Sequence, residues 1–221
     1  MTADERVARG FDRLAPVYDL LGDVALMGAL GRSQNQFLPI LPPLDRALIV
    51  GGGTGRFLAD LMRTGRVKTA VSVDLSPGMN RQAARKIAGL GFTRRVEFRT
   101  GTVDALGADE RFDLIVTHCF LDLFAPETLR TVVARLDQAL KPNGYWIFSD
   151  FSTEGSGATG SLRRAAVDFL YRFFRLTCRI EATALPDFEA VLASHALIPS
   201  ATGRHLGGLL RSTLYRKNLA S

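Results

Sequence analysis

Short apolar runs alternate with amphipathic stretches through the middle of the chain. Residues 46–50, 69–74, 95–99, 112–118 and 144–150 read as strands. Between them, residues 56–64, 77–89 and 126–140 repeat apolar positions at helical spacing. Ser76-Pro77 is a helix start, a capping hydroxyl followed by proline at the first helical position, and Pro126 opens the helix over 126–140. Lys141-Pro142-Asn143-Gly144 is a turn that stops that helix before the next strand. Residues 2–41 look helical and partly apolar and end at Pro42-Pro43, while the tail 196–216 holds two further strands, with Leu209–Tyr215 the clearer one. Apolar strands separated by helices imply a parallel, doubly wound sheet with helices on both faces. The expectation is therefore an α/β, Rossmann-like, mostly parallel seven-stranded sheet with an N-terminal helical lid. It forms one domain: a helical cap over 1–43, a core over 44–151, and a substrate-side helix with the last strands over 152–221.

After the fifth strand, residues 152–161 (Ser-Thr-Glu-Gly-Ser-Gly-Ala-Thr-Gly-Ser) read as a flexible loop by composition. An aromatic and basic helix over 162–178 follows. Leu162, Ala166, Phe169, Phe173 and Leu176 fall on one face, bordered by Arg163, Arg164, Arg172 and Arg175. Three readings stand: an ordinary packing helix, a lid over an aromatic substrate, or a helix lying on a membrane surface with weak contact.

The 221 residues suffice for one α/β domain, and a hydrophobic content of 47% supports a globular core. No segment is apolar for long enough to span a membrane. The start of the chain opens with acids and lacks an apolar core, unlike a signal peptide. Two cysteines, Cys119 and Cys178, form neither a disulfide framework nor a metal-ligand spacing, so no metal is expected and a reduced, cytoplasmic setting fits. The net charge is +6, but the 28 basic residues are spread and no run reaches the length of a nucleic-acid arm.

The chemistry concentrates where Ala47–Val50 stops in Gly51-Gly52-Gly53-Thr54-Gly55 and an amphipathic pattern follows. Strand, glycine turn and helix start bring backbone N–H groups close to a ligand. Val71-Ser72-Val73-Asp74 then ends a second strand in a carboxylate nineteen residues after Gly55. An acid there hydrogen-bonds a ribose diol, so an adenosine-containing cofactor is expected. Gly51, Gly53 and Gly55 form Gly-x-Gly-x-Gly, with Arg56 where a dinucleotide fingerprint carries its third glycine, which argues against NAD.

Five ordered segments carry a family resemblance over residues 10–216: Val50–Gly55, Asp74-Leu75-Ser76-Pro77-Gly78-Met79, Gly101-Thr102-Val103-Asp104, Phe112–Val116, and Leu140–Trp146. In that order they resemble the class I S-adenosylmethionine-dependent methyltransferases. The N-terminal Phe11-Asp12-x-x-Ala15-Pro16-x-Tyr18-Asp19 is similar to the start of the ubiquinone/menaquinone C-methyltransferase group. The resemblance implies S-adenosyl-L-methionine as cofactor and a small-molecule methyl acceptor. It implies cofactor contacts at Gly51, Gly53, Gly55, Asp74, Leu75, Met79, Val103, Asp104, Thr117, His118 and, from the lid, Tyr18. Two departures stand out. Gly51 replaces the acid usual in the first motif, and Thr117–Phe124 does not follow the quinone enzymes' pattern.

Each candidate keeps a second reading. Asp74 either accepts from ribose or caps the helix after Ser76, and Asp104 either meets adenine or is a loop acid. His118 is either a general base or a lining residue without proton transfer. Asp150 either meets the substrate, as base or hydroxyl acceptor, or anchors a loop. Asp122 either orients substrate or caps a helix. Tyr18 either covers the cofactor or fills the core. The leading expectation is methyl transfer to O, N or C of an apolar or aromatic acceptor. A non-catalytic module binding S-adenosylmethionine or S-adenosylhomocysteine is the competing reading, and an RNA methyltransferase lacks both a basic extension and an Asn/Asp-Pro-Pro-aromatic signature after the fourth strand.

Overall fold

The computed structural model describes residues 2–15, 26, 28–154 and 157–218. Strand β1 (Leu44–Val50) belongs to a seven-stranded sheet with β2 (Val67–Asp74), β3 (Val96–Thr100), β4 (Phe112–His118), β5 (Leu140–Phe151), β6 (Leu197–His205) and β7 (Leu210–Lys217). The spatial order is β3-β2-β1-β4-β5-β7-β6. Strands β1 to β5 are parallel, and β7 runs antiparallel between β5 and β6. The chain leaves β1 towards β2 on one side and returns to β4 on the other. The carboxyl ends of β1 and β4 therefore flank the crevice where such sheets bind ligands.

Side-chain alternation along the strands builds two cores. Ala47 and Ile49 face Phe57, Leu58, Leu61 and Met62 of helix α3 (Arg56–Arg63) and Ile87 of α4 (Pro77–Gly89). Leu48 and Val50 face the opposite layer, with Leu129, Val133 and Leu136 of α5 (Pro126–Ala139). Burying each such side chain contributes roughly 1.5–3 kcal/mol, and the two layers leave the strand ends free for a site.

Two helices precede β1: α1 (Ala3–Leu14) and α2 (Ala29–Asn35). A capping box starts α1, with Thr2 Oγ accepting from Glu5 N and Glu5 Oε2 accepting from Thr2 N. Ser33 of α2 meets the hydroxyls of Ser149 and Ser212 at 2.9 and 2.6 Å, which ties α2 to β5 and β7 through a buried polar triangle.

Two boundaries differ from the sequence pattern by more than two residues. Strand β5 begins at Leu140 rather than 144, because Leu140 already pairs with Phe112. The chain then bulges over Pro142–Gly144, with Asn143 at φ 60°, before Tyr145 pairs with Leu114. Helix α6 spans Gly157–Cys178, so it begins inside the segment read as a loop. Arg163 explains the early start: it donates to the carbonyls of Glu154 and Gly207 and pins the first turns. A short helix α7 (Phe188–Ala193) follows.

Of the three readings of the 162–178 stripe, packing against the domain is not the one seen, because the stripe faces outward. Leu162, Phe169 and Leu176 are 72%, 70% and 84% exposed, whereas Val167, Tyr171 and Cys178 on the opposite side are buried. The inner face packs on α1, where the Phe11 and Phe174 rings stack at 6.3 Å and Gly10 abuts the Cys178 backbone.

Candidate functional site

A cavity of about 410 Å³ opens at the carboxyl ends of β1, β2 and β4. Gly51, Gly53 and Gly55 all hold positive φ, at 66°, 54° and 77°. At Gly53 an added Cβ would meet nothing within 4 Å, so the loop backbone lies bare to the cavity. At Gly55 an added Cβ would lie 2.7 Å from the Ala83 Cβ, so this glycine lets α3 start close against α4. Gly55 also caps α3 without any side-chain hydrogen bond, which leaves the first N–H groups of that helix to a ligand.

Asp74 closes the cradle from β2. One carboxylate oxygen accepts from Gly53 N and the other from Ser76 N, both at 2.8 Å. Each oxygen retains a second acceptor direction. Burial pushes the Asp74 carboxyl above the usual range, against the two backbone N–H groups, which favour the ionised form. The loop acid is thus both a clamp on the glycine turn and a wall of the cavity. Leu75, Met79, Val103 and Asp104 also line it. Asp104 is held in place by the Thr102 hydroxyl at 3.0 Å.

His118, at the end of β4, lines the cavity edge-on to Phe57, with ring centroids 4.5 Å apart. Neither ring nitrogen has a hydrogen-bond partner among the described residues. Burial without a compensating acid pushes its pKa down to about 3, so the ring is neutral at physiological pH.

Three expected site residues lie outside the cavity lining: Gly55, which sits against Ala83 of α4 instead, Thr117 and Asp150. Thr117 is fully buried and does not line the cavity; its hydroxyl accepts from Trp146 Nε1 at 2.9 Å. Alternation along β4 forces this outcome, because His118 and Thr117 point to opposite faces of the sheet. Asp150 is also fully buried and outside the cavity lining, with one oxygen accepting from Phe151 N. It cannot act as a base on a ligand in the cavity from there. Tyr18 lies outside the described residues.

Asp150 and Asp122 form a buried acidic pair beside Cys119 and Tyr171. Asp122 Oδ1 and Asp150 Oδ2 have no hydrogen-bond partner among the described residues. Burial raises the pKa of both carboxyls, and the charge of Asp122 raises that of Asp150 further. Cys119 and Tyr171 are raised as well, first by burial and then by the two acids. Raised carboxyls hold protons in the folded state that the unfolded chain releases above the ordinary carboxylate pKa. Stability therefore falls as pH rises from that value through the raised ones. The lowered pKa of His118 acts in the opposite sense only below about 6.5, where the unfolded histidine gains a proton. Between pH of about 6.5 and 8 the pair governs. Wild type is expected to lose about 1.4 kcal/mol per pH unit for each retained proton, and the double change Asp122→Asn/Asp150→Asn to flatten that slope. Urea unfolding at both pH values checks this; an unchanged slope in the double variant would show that the pair is ionised in the folded protein.

The remaining lining comes from outside the strand ends. Asp4, Val7 and Phe11 of α1, Leu30 and Gln34 of α2, and Phe120, Leu123, Phe124, Ile180 and Glu181 contribute to the wall, beside polar positions such as Asn35, Asp60 and Thr131. The Phe120 and Phe124 rings meet edge-to-face at 5.0 Å, and Phe120 covers Gly51. Asp12 was legible only as part of a matched N-terminal segment, yet it joins α1 to the ribose-side loop. Its Oδ1 accepts from Ser76 Oγ at 2.5 Å and from Gly78 N at 2.7 Å. Among the described residues no group of three or more His, Cys, Asp or Glu side chains is placed to hold a metal ion.

Known proteins resemble this chain in sequence and in fold. A methyltransferase-domain family model matches residues 47–144. The ubiquinone/menaquinone biosynthesis C-methyltransferase UbiE of Teredinibacter turnerae is 30% identical over 153 residues, covering 67% of this chain and 60% of that protein. A malonyl-[acyl-carrier protein] O-methyltransferase of Priestia megaterium is 30% identical over 159 residues, covering 68% of this chain and 53% of that protein. The chain thus spans little more than half the length of these relatives. Among solved structures, the N-methyltransferase NodS of Bradyrhizobium japonicum WM9 in complex with S-adenosyl-l-homocysteine superposes with a TM-score of 0.60 at 18% identity, over 85% of this chain and 87% of that one, a likeness of fold.

Proposed function

For this chain, which belongs to the class I S-adenosylmethionine-dependent methyltransferases, we propose transfer of the cofactor's methyl group to O, N or C of a small apolar or aromatic acceptor. The observation that carries the reading is the continuity of one cavity from the Gly51–Thr54 and Asp74 cradle to an apolar wall of Val7, Phe11, Leu30, Leu123 and Ile180. The residues present fit the cofactor. The bare backbone at Gly53 and the uncapped start of α3 suit its amino-acid portion. The spare acceptor directions of Asp74 suit a ribose diol, and Leu75, Val103 and Asp104 suit an adenine.

The bound cofactor supplies an activated methyl on a sulfonium, so the protein's share is positioning and exclusion of water. Asp74 and the glycine loop hold the donor end. Phe11, Leu30 and Leu123 desolvate the acceptor end, and α1 closes over both because Asp12 ties it to Ser76 and Gly78. The neutral His118 ring presents two unpartnered nitrogens and orients an acceptor or the donor's polar groups by hydrogen bonding. With a pKa of about 3 it is too weak a base to hold a proton at neutral pH.

The test is methyl transfer from labelled S-adenosylmethionine to a panel of hydroquinones, phenols, aromatic amines and carboxylates, read by mass spectrometry. Product formation on an apolar or aromatic member is expected. Tight cofactor binding with no product on any member would favour a non-catalytic binding module. On the best acceptor, His118→Asn is expected to lower kcat by less than about tenfold and to leave the pH profile without a histidine inflection. A general base contributes about 10²–10⁴-fold, and a loss on that scale would mean that the ring moves a proton.

A further inference from the structure

The outward face of α6 is an apolar feature that the cavity leaves unexplained. Leu162, Phe169 and Leu176 are three of the five large hydrophobic side chains exposed among the described residues; the other two, Ile40 and Ile198, lie near the opposite ends of the strands. Their spacing of seven places them in one line along the helix, extending about 21 Å at 1.5 Å per residue. Phe173, half-buried, and Ala165 and Ala166 widen the line into a stripe. This is not a core face turned the wrong way. The opposite side of the same helix buries Val167, Tyr171 and Cys178, and the Tyr171 hydroxyl donates to the Asp122 carbonyl at 3.1 Å. Packing therefore sets the rotation of α6 and holds the stripe outward.

The charges beside the stripe decide what suits it. Arg172 and Arg175 lie to one side of it, with Asp168 as the single acid beside them, and Arg179 follows the helix end. A second copy of this face would bring like charges together across a self-complementary contact. An anionic surface neutralises them, and the net charge of +6 acts in the same direction. No described helix is long and apolar enough to cross a membrane, so the fitting mode is a helix lying in the interface.

We propose that the outward face of α6 docks this protein on an anionic lipid bilayer, with Leu162, Phe169 and Leu176 entering the acyl boundary and Arg172 and Arg175 meeting the headgroups. The position of the cavity gives this surface a use. The inner face of α6 packs on α1, whose Val7 and Phe11 line the cavity, and the chain leaving α6 lines it through Ile180 and Glu181. Docking brings that wall close to the lipid, where an apolar acceptor concentrates. The docking itself rests on α6 alone and stands whether or not the methyl-transfer reading does.

Sedimentation of the full chain with phosphatidylcholine vesicles, with and without phosphatidylglycerol, tests it. Binding is expected with the anionic vesicles and to weaken at high salt. Leu162→Gln/Phe169→Gln/Leu176→Gln is expected to lose at least about tenfold in partitioning. Arg172→Gln/Arg175→Gln is expected to lose roughly thirtyfold, from the usual contribution of a basic residue at an anionic surface. Both variants should keep the wild-type thermal midpoint and S-adenosylhomocysteine affinity, because every changed side chain is exposed. Equal binding to neutral and anionic vesicles, no binding to either, or undiminished binding by the apolar triple variant would overturn the proposal. So would a wild-type dimer in sedimentation velocity that the triple variant dissociates.

Discussion

Asp74→Ala is expected to raise the Kd for S-adenosylmethionine and S-adenosylhomocysteine by roughly a hundredfold or more. A hydrogen bond to a charged group contributes about 1.5–3 kcal/mol, and a ribose diol bound at this carboxylate would make two. The loss extends past the direct contacts. The same carboxylate holds Gly53 N and Ser76 N at 2.8 Å, and Ser76 Oγ continues to Asp12 on α1. Removing it releases the glycine turn, the ribose side and the tie to the N-terminal helix together. Asp74→Asn separates these effects in part, because its amide keeps one acceptor but sets a donor against a backbone N–H. The stability cost of Asp74→Ala is expected to be the smaller effect, since burial already disfavours this charge. Because its pKa is raised, cofactor affinity should begin to fall on acidification at a higher pH than for an ordinary exposed carboxylate. Calorimetric titration of both ligands into wild type and the two variants gives the answer. A Kd for Asp74→Ala within about threefold of wild type would move the ribose site away from β2.

Gly55→Ala is expected to cost the fold rather than the ligand, by roughly 2–5 kcal/mol. The residue sits at φ 77°, where a side chain adds about 1–2 kcal/mol of strain. Its new methyl would lie 2.7 Å from Ala83 Cβ and 2.8 Å from Ala83 Cα, and overpacking of this kind costs about 1–3 kcal/mol. Ala83 is fully buried on α4 and has no flexible end to move aside. Against a net stability of about 5–15 kcal/mol this is a large fraction. Gly53→Ala provides the contrast. It carries the same kind of backbone strain, but its methyl meets no protein atom and projects towards the cavity. It should retain most of the stability and lose cofactor affinity. Urea unfolding and calorimetry on the pair check both halves. Equal stabilities for the two variants would mean that α3 and α4 separate easily at Ala83.

The glycine loop and Asp74 were legible because their chemistry is local. A strand, three glycines and an acid at fixed spacing specify a turn and its neighbour whatever the rest of the chain does. The five parallel strands were legible for a related reason. Four are apolar runs bounded by turn residues or a proline, β3 alternates apolar and charged positions, and the pattern survives without knowledge of partners.

Thr117 shows where that legibility stops. Pattern placed it at the ligand edge of β4, and the edge was right, but one strand end carries two opposite side-chain directions. Which of Thr117 and His118 entered the cavity depended on which face of the sheet received α3. Trp146, from a strand twenty-nine positions away, then took the threonine hydroxyl. Helix α6 makes the same point at larger scale. Periodicity marked its Leu162–Phe169–Leu176 face, but the structure buries Val167, Tyr171 and Cys178 on the other side. Packing against α1 and the Asp122 carbonyl selected that other side. The pairing of Asp122 with Asp150, the triangle of Ser33, Ser149 and Ser212, and the reach of Asp12 to Ser76 have no periodic or local signature. By itself, the amino-acid sequence determined the order of strands and helices, the glycine turn and the family of its cofactor, since those follow from short-range backbone and burial preferences. Only the tertiary structure decided which side chains share the cavity, which acids are buried together and which face of α6 meets solvent, because those depend on long-range packing between segments that are remote along the chain.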